Sequence, residues 1–381
     1  MISKNEFPQD WKTVELGDIC TVTYGDSLPT RERNDGEIPV YGSGGISGYH
    51  NDDLSHGPAI ILGRKGSINN VNYVDSPFWA IDTTYYLEIV DKSRISLRYV
   101  YYFLKSFDLE QLNKAAAVPS LRKSDLVKIK IPVPSHEEQE RIVSALDDAF
   151  ESLDRVSELS QQIRDRGDEL IGAISYRQFG TDDLPDEWEI CELSEAVEYK
   201  SNLTTPKDTP DREFTLLDLE DVEPHTGRIT GTKTVAGSEI GSSKRNFGSD
   251  DILYCKLRPY LNKVVCPDFE GVASSELLAL EPKEGFLKEY VAYFLRSPAV
   301  WQRAESLMKG ANHPRINKGD LLSFAIPKPP LEEQERIVAL LDGLTGVTGR
   351  SISSATQIAD YAGELRGSLL QQAFTGQLLR D

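Results

Sequence analysis

Cysteine is scarce in this chain. Its four copies (Cys20, Cys191, Cys255 and Cys266) form no Cys-x-x-Cys pair, which argues against paired-thiol chemistry and predicts a reduced, cytoplasmic protein. The histidines (His50, His56, His136, His225 and His313) lack metal-ligand spacing, so no bound metal is expected. No apolar run is long enough for a membrane span, and the opening Met-Ile-Ser-Lys-Asn-Glu-Phe-Pro lacks the apolar core of a secretory signal. Positive charge is short as well. Lys and Arg number 42 against 61 Asp and Glu, a net charge of -19, so the chain by itself should hold DNA weakly.

Catalytic equipment is also missing. There is no Asn/Asp-Pro-Pro-Tyr/Phe methylation motif, no Gly-Lys-Ser/Thr phosphate-loop ending and no Ser-His-Asp order. The glycines Gly42, Gly44, Gly45 and Gly48 mark turns, and no helix follows them as a dinucleotide fingerprint requires. Pro267-Asp268 followed by Glu281-Pro-Lys283 meets a loose metal-nuclease spacing, although a proline fits an active strand badly. Asp82 and Glu276, placed in matching strands, read as structural groups or base-edge acceptors. The balance favours a binding protein over an enzyme.

What the chain has is repetition. Residues 137–143 and 332–338 both read Glu-Glu-Gln-Glu-Arg-Ile-Val, an offset of 195, and each follows an Ile-Pro-x-Pro lead. The likeness continues to Phe179 and Phe374. Such a period identifies a tandem duplication. Prolines just ahead and three glutamates in the first turn suit a helix start. Leu146, Ala149, Leu153, Val156, Ser160, Ile163, Gly167, Leu170 and Ile174 then recur with coiled-coil spacing. Leu341, Leu344, Thr348, Ser351, Ala355, Ile358, Ala362, Leu365 and Leu369 do the same, weakened by Gly343, Gly346 and Gly349. Two helices of about 40 residues, each about 60 Å long, are expected, and the stripe of each calls for the other as its partner.

Each helix follows a globular domain. Pro8-Gln-Asp-Trp11 opens the first and Pro185-Asp-Glu-Trp188 the second; Tyr99-Val-x-Tyr102-Phe-Leu and Tyr290-Val-x-Tyr293-Phe-Leu read as short helices within them. Segments 26–58 and 201–250 hardly match, which is how a shared scaffold with two different targets would look. Ala59–Leu62 reads as a buried strand running into Gly63-Arg64-Lys65-Gly66-Ser67, a loop able either to hold phosphates or simply to turn in solvent. Phe78–Leu87 and 272–280 read as further strands. Charge is uneven: 134–180 carries 11 acids against 5 bases, whereas 114–130 is net +4. The resulting organisation is 1–133 (first domain), 134–180 (first helix), 181–328 (second domain) and 329–381 (second helix), with α/β (α+β) globules related by a pseudo-two-fold axis.

These residues together resemble the DNA specificity subunit of type I restriction–modification systems. The carriers are the paired Ile-Pro-x-Pro … Glu-Glu-Gln-Glu-Arg-Ile-Val helices, the twin Trp-led starts, Pro39-Val-Tyr-Gly-Ser-Gly-Gly45, Gly63-Arg-Lys-Gly-Ser67 and the two Tyr-Val-x-Tyr-Phe-Leu phrases. The resemblance spans essentially the whole chain. It implies two α/β target-recognition domains joined by two long antiparallel coiled-coil helices, each domain reading half of a split asymmetric sequence on double-stranded DNA, with half-sites about one helical turn (~34 Å) apart. It implies no catalytic residue and no cofactor of the chain's own, with S-adenosylmethionine, ATP and Mg confined to partners. Those partners are two modification (methyltransferase) subunits and two restriction (motor-nuclease) subunits. The DNA contacts implied are Tyr41, Ser43, Arg64, Lys65, Ser67, Arg122 and Lys123 in the first domain. In the second they are Lys244, Arg245, Lys256, Arg258, Asn262, Lys263, Arg315 and Asn317. The competing readings are a two-domain nucleic-acid or protein adaptor outside restriction, a scaffold that binds no DNA, and the metal-dependent nuclease.

Overall fold

A computed structural model describes residues 7–115, 117–180, 184–185 and 187–379. The expected domain starts at residues 1 and 181, and the expected end of the second helix at 381, lie outside the described residues. The chain divides into two compact units. One is Met1–Ser160 with Thr356–Asp381, the other Gln161–Ala355. Four helices carry the repeated phrases: α1 (Leu97–Ser106), α2 (His136–Phe179), α3 (Lys288–Arg296) and α4 (Leu331–Phe374). Each of the two long helices contributes to both units.

In the first unit, strand Lys12–Glu15 pairs antiparallel with Lys130–Val133, so the Ile-Pro-x-Pro lead finishes a ribbon before the helix starts. A helical turn, Leu16–Ile19, follows, closed by a capping box between Glu15 and Asp18. A four-stranded antiparallel sheet comes next, in the order Cys20–Tyr24, Thr84–Ile89, Ala59–Gly63, Val71–Val74. The second unit repeats every step. Glu189–Glu192 pairs with Ala325–Lys328, a Glu192/Glu195 capping box closes Leu193–Ala196, and the sheet runs Val197–Lys200, Leu277–Pro282, Ile252–Cys255, Val264–Val265.

The two phrases of the duplication bond to each other inside each unit. Tyr99 Oη donates to the Pro132 carbonyl at 2.7 Å, and Tyr290 Oη to that of Pro327 at 2.9 Å. Tyr102 donates to Asp147, while Tyr293 donates to Asp342 at 2.5 Å. Burial and then the facing carboxylate push the Tyr293 hydroxyl up to about 12. Each core is closed by the far end of a long helix. Phe374 packs edge-on against Tyr99 and Phe103 at 5.3 Å, while Phe179 packs on Tyr290 at 5.3 Å and Phe294 at 5.9 Å.

Within each unit the two long-helix segments run antiparallel. In the first, Leu146 shares a core with Leu370 and Phe374, and Arg366 pairs with Asp154 and lies over the Phe150 ring. In the second, Ile174 and Phe179 share a core with Ile337 and Leu341, and Gly167 lies against Thr348 and Ile352. The apolar seam departs from expectation. Leu146, Leu153, Ser160, Leu341, Thr348, Ala355 and Ala362 are buried, but Ile163, Leu170, Ile358 and Leu365 of the alternate row are exposed. Small residues (Ser160, Thr348, Ala355 and Ala362) fill the middle of the contact, and the four exposed members of the alternate row are turned outward while Ala149, Val156 and Leu344 are half-buried.

The sequences that diverge build sheets that differ. The first unit adds a three-stranded sheet of Gly45–His50, Ile38–Gly42 and Trp79–Ala80. The second adds a five-stranded sheet: Leu203–Thr204, Lys244–Phe247, Gly271–Ala273, Glu213–Leu217, Lys233–Ala236. The strands expected over Phe78–Leu87 and 272–280 are each broken by a turn that passes the chain from this variable sheet to the shared one. In the first unit the Thr84 hydroxyl closes the turn on the Ile81 carbonyl at 2.7 Å. In the second, Leu277 N–H donates to the Ser274 carbonyl at 2.9 Å. Asp82 and Glu276 therefore lie in turns, not strands.

Candidate nucleic-acid interface

In the first domain three loops meet at the end of the shared sheet. Strand Ala59–Gly63 runs into Arg64-Lys65-Gly66-Ser67, where Gly66 takes φ +86, a conformation that favours glycine. Gly66 N–H donates to the Pro119 carbonyl at 2.9 Å, Leu121 N–H to that of Arg64 at 2.9 Å, and Lys65 bridges to Ser120. The hairpin tip joins them through Asn70 Nδ2, which donates to the Ser43 carbonyl at 3.2 Å. Ser43, Arg64, Lys65, Ser67, Arg122 and Lys123 thus gather on one rim, and Lys65, Ser67 and Arg122 are exposed.

Tyr24, absent from the expected contacts, lies beside Arg64 and Lys123 of this rim. It is 49% exposed, with the Arg64 guanidinium 5.4 Å and the Lys123 ammonium 5.8 Å from its ring centroid. An exposed ring with two cations close to it is the kind of group on which a base can stack. Its place at the end of the strand next to Thr84–Ile89 was the available signal. Tyr41 is a correction. It is 9% exposed and packs edge-on against Phe78 at 6.4 Å, so it belongs to the core beneath the rim.

In the second domain Lys256, Arg258, Arg315 and Asn317 come together. Leu257 bridges to Arg315, Arg258 N–H donates to the Pro314 carbonyl at 2.7 Å, and Ile316 N–H to that of Lys256 at 3.1 Å. Arg258 holds φ 49 and is exposed. Asn317 is exposed and donates to Asp320 at 3.3 Å. Glu276 ties the group: Arg315 Nε and Nη2 donate to its two oxygens at 3.0 Å each, and Lys256 Nζ lies 3.8 Å away. The Arg315 hydrogen bonds hold the Glu276 carboxyl below its usual range. Lys244 and Lys263 form a separate group, on Asp218 Oδ1 at 3.1 Å and the Leu219 carbonyl at 2.5 Å.

Arg245 and Asn262 are also corrections, each 5% exposed. Arg245 Nη1 donates to the Lys200 carbonyl at 2.8 Å and its guanidinium lies over Tyr199. Asn262 takes φ 47, and its Nδ2 donates to the Arg296 carbonyl at 2.8 Å. Both side chains make their contacts inside the domain and do not face solvent. Two residues of the nuclease spacing are held by the framework: Glu281 pairs with Lys200 at 3.0 Å, and Lys283 Nζ donates to the Ser194 carbonyl at 2.8 Å, while Asp268 is exposed. Burial pushes the Cys20 thiol up to about 12 and that of Cys255 up to about 11, so both stay protonated near neutrality.

Two domains on one framework, each with its own basic rim, match a known family. The family model for the type I restriction modification DNA specificity domain matches residues 8–165 and again 185–351. The chain belongs to this family. Its role is that of a DNA specificity subunit. It is similar to the type I restriction enzyme EcoDI specificity subunit of Escherichia coli, 25% identical over 99% of this chain and 90% of that protein. It also resembles the MjaVIII specificity subunit of Methanocaldococcus jannaschii, 24% identical over 88% of this chain and 86% of that one. The fold is shared with a chain solved for the structural basis of complex assembly and conformational transition of a type I R-M system. That likeness has a TM-score of 0.75 and 19% identity, covering 98% of this chain and 99% of that one. The HsdS subunit from Thermoanaerobacter tengcongensis is similar as well, with a TM-score of 0.54, 18% identity and 98% of both chains covered. Among the described residues no helix is long and apolar enough to cross a membrane.

Proposed function

We propose that this specificity subunit reads a split, asymmetric sequence on double-stranded DNA, one half with each domain, and contributes no catalytic step. The observation that carries this reading is the pairing of one repeated framework with two dissimilar variable sheets and two dissimilar basic rims. Identical readers would give a palindrome; different readers on one framework give an asymmetric site. The first rim is Tyr24, Ser43, Arg64, Lys65, Ser67, Arg122 and Lys123. The second is Lys256, Arg258, Arg315 and Asn317, with Lys244 and Lys263 on the separate group beside Asp218.

Two modification subunits dock on the long helices and two restriction subunits join them, in the cytoplasm. The outward rows of Leu159, Ile163, Leu170 and Tyr176 on α2, and of Val347, Ile358, Tyr361 and Leu365 on α4, support this docking, because exposed apolar side chains in numbers mark partner surfaces. S-adenosylmethionine, ATP and Mg belong to those partners. The net charge of -19 fits a subunit whose hold on DNA is shared. The test replaces residues 1–133 by the matching segment of another family member. One half of the methylated sequence should change and the other stay; a change in both halves contradicts the reading.

A further inference from the structure

The Arg315–Glu276 pair differs from the other cation contacts of the second rim. Arginine offers five N–H groups in a rigid fork. Arg315 commits Nε and Nη2 to the Glu276 carboxylate at 3.0 Å each and Nη1 to the His313 carbonyl at 3.0 Å. One N–H on each terminal nitrogen remains without a partner among the described residues. The backbone is held as firmly: Arg315 exchanges both hydrogen bonds with Lys309, at 2.8 and 2.9 Å, and bridges to Leu257. The side chain is nevertheless 42% exposed, over a carboxylate 20% exposed.

The first domain shows that the framework does not need this pair. Arg64 N–H donates to the Thr83 carbonyl where Lys256 N–H donates to that of Glu276, and Lys65 bridges to Ser120 where Leu257 bridges to Arg315. Thr83 and Ser120 therefore stand where Glu276 and Arg315 stand. The same turn and the same bridge form without a salt bridge. The fork is an addition particular to one reader.

From this we infer that Arg315 reads a guanine edge in the half-site of the second domain, and that Glu276 is its positioning residue. The inference rests on the reading that the chain recognises DNA. An arginine already charge-compensated adds little to a general phosphate grip. Fixed in orientation, it presents its two remaining N–H groups to the O6 and N7 acceptors of guanine without first ordering a long side chain. Lys256 and Arg258, beside it, take the flanking phosphates.

The experiment co-expresses the full chain with the modification subunit of its own system and reads methylated motifs across the host genome by single-molecule sequencing. Arg315→Ala should lower discrimination at one G·C pair of one half-site by about tenfold or more, leaving the other half unchanged. Arg315→Lys should fail to restore it, and Glu276→Gln should loosen the same position. The double variant Glu276→Thr/Arg315→Ser, which installs the residues the first domain already folds with, guards against misfolding and should show the same relaxed position. An unchanged motif with uniformly weaker methylation would make Arg315 a phosphate contact and overturn the inference. An unchanged motif at unchanged rate would make the pair structural and overturn it too. Failure of the wild-type chain to direct any sequence-specific methylation would instead overturn the reading beneath it.

Discussion

The side-chain oxygen of Gln139 accepts the backbone N–H of Ser96 at 2.9 Å, and Gln334 does the same for Leu287 at 2.9 Å. Each glutamine then donates Nε2 to two carbonyls, those of Arg94 and Pro134 in one domain and of Gly285 and Pro329 in the other. Both side chains are 0% exposed. The repeated heptapeptide thus carries its glutamine as a plug between the long helix and the residue ahead of α1 or α3. Glutamate could not donate, and leucine would strand three backbone groups. Gln139→Leu or Gln334→Leu should cost about 3 kcal/mol or more, read as a shift in denaturant midpoint. A loss under about 1 kcal/mol would show that the plug matters little.

Phe179 and Phe374 close different cores and share no partner. Each change to alanine should cost about 3–5 kcal/mol, and the double variant should be close to the sum. Chemical denaturation followed by tryptophan fluorescence gives both values; strong non-additivity would mean the two cores do not respond separately.

Much of this was legible in the sequence because it rests on periodicity and repetition. The long helices, the doubled framework and the mismatch of 26–58 with 201–250 all follow from letters and spacing. Direction and depth do not. Tyr41, Arg245 and Asn262 sit among basic and turn residues, yet their side chains are buried, which strand register decides for Tyr41 and Arg245 and the left-handed turn conformation for Asn262. The turn at Asp82–Thr83 is hidden because its closing bond comes from a threonine that reads equally well as strand. The seam is narrower than its spacing suggests, because spacing shows which residues share a face, not how wide a contact that face makes.

Gly343, Gly349, Gly363 and Gly367 lie on the exposed side of α4, and a Cβ added at any of them meets nothing within 4 Å. Each glycine-to-alanine change should stabilise the free chain by up to about 1 kcal/mol, measured as a rise in Tm. A fall would reveal a neighbour or a strain on that face.

Arg64→Ala removes one of the two cations over Tyr24. Affinity of the assembled complex for DNA should fall, the slope of log affinity against log salt should shrink by about 1, and co-purification with the modification subunit should be unchanged. An unaltered salt slope would take Arg64 off the phosphate backbone.

The central claim is that one duplicated framework carries two different readers. Single-molecule methylation sequencing of cells expressing the wild-type chain with its modification subunits tests it most directly. The expected result is a single asymmetric motif of two defined segments separated by a fixed unread spacer. One continuous motif, or a palindrome, would contradict it.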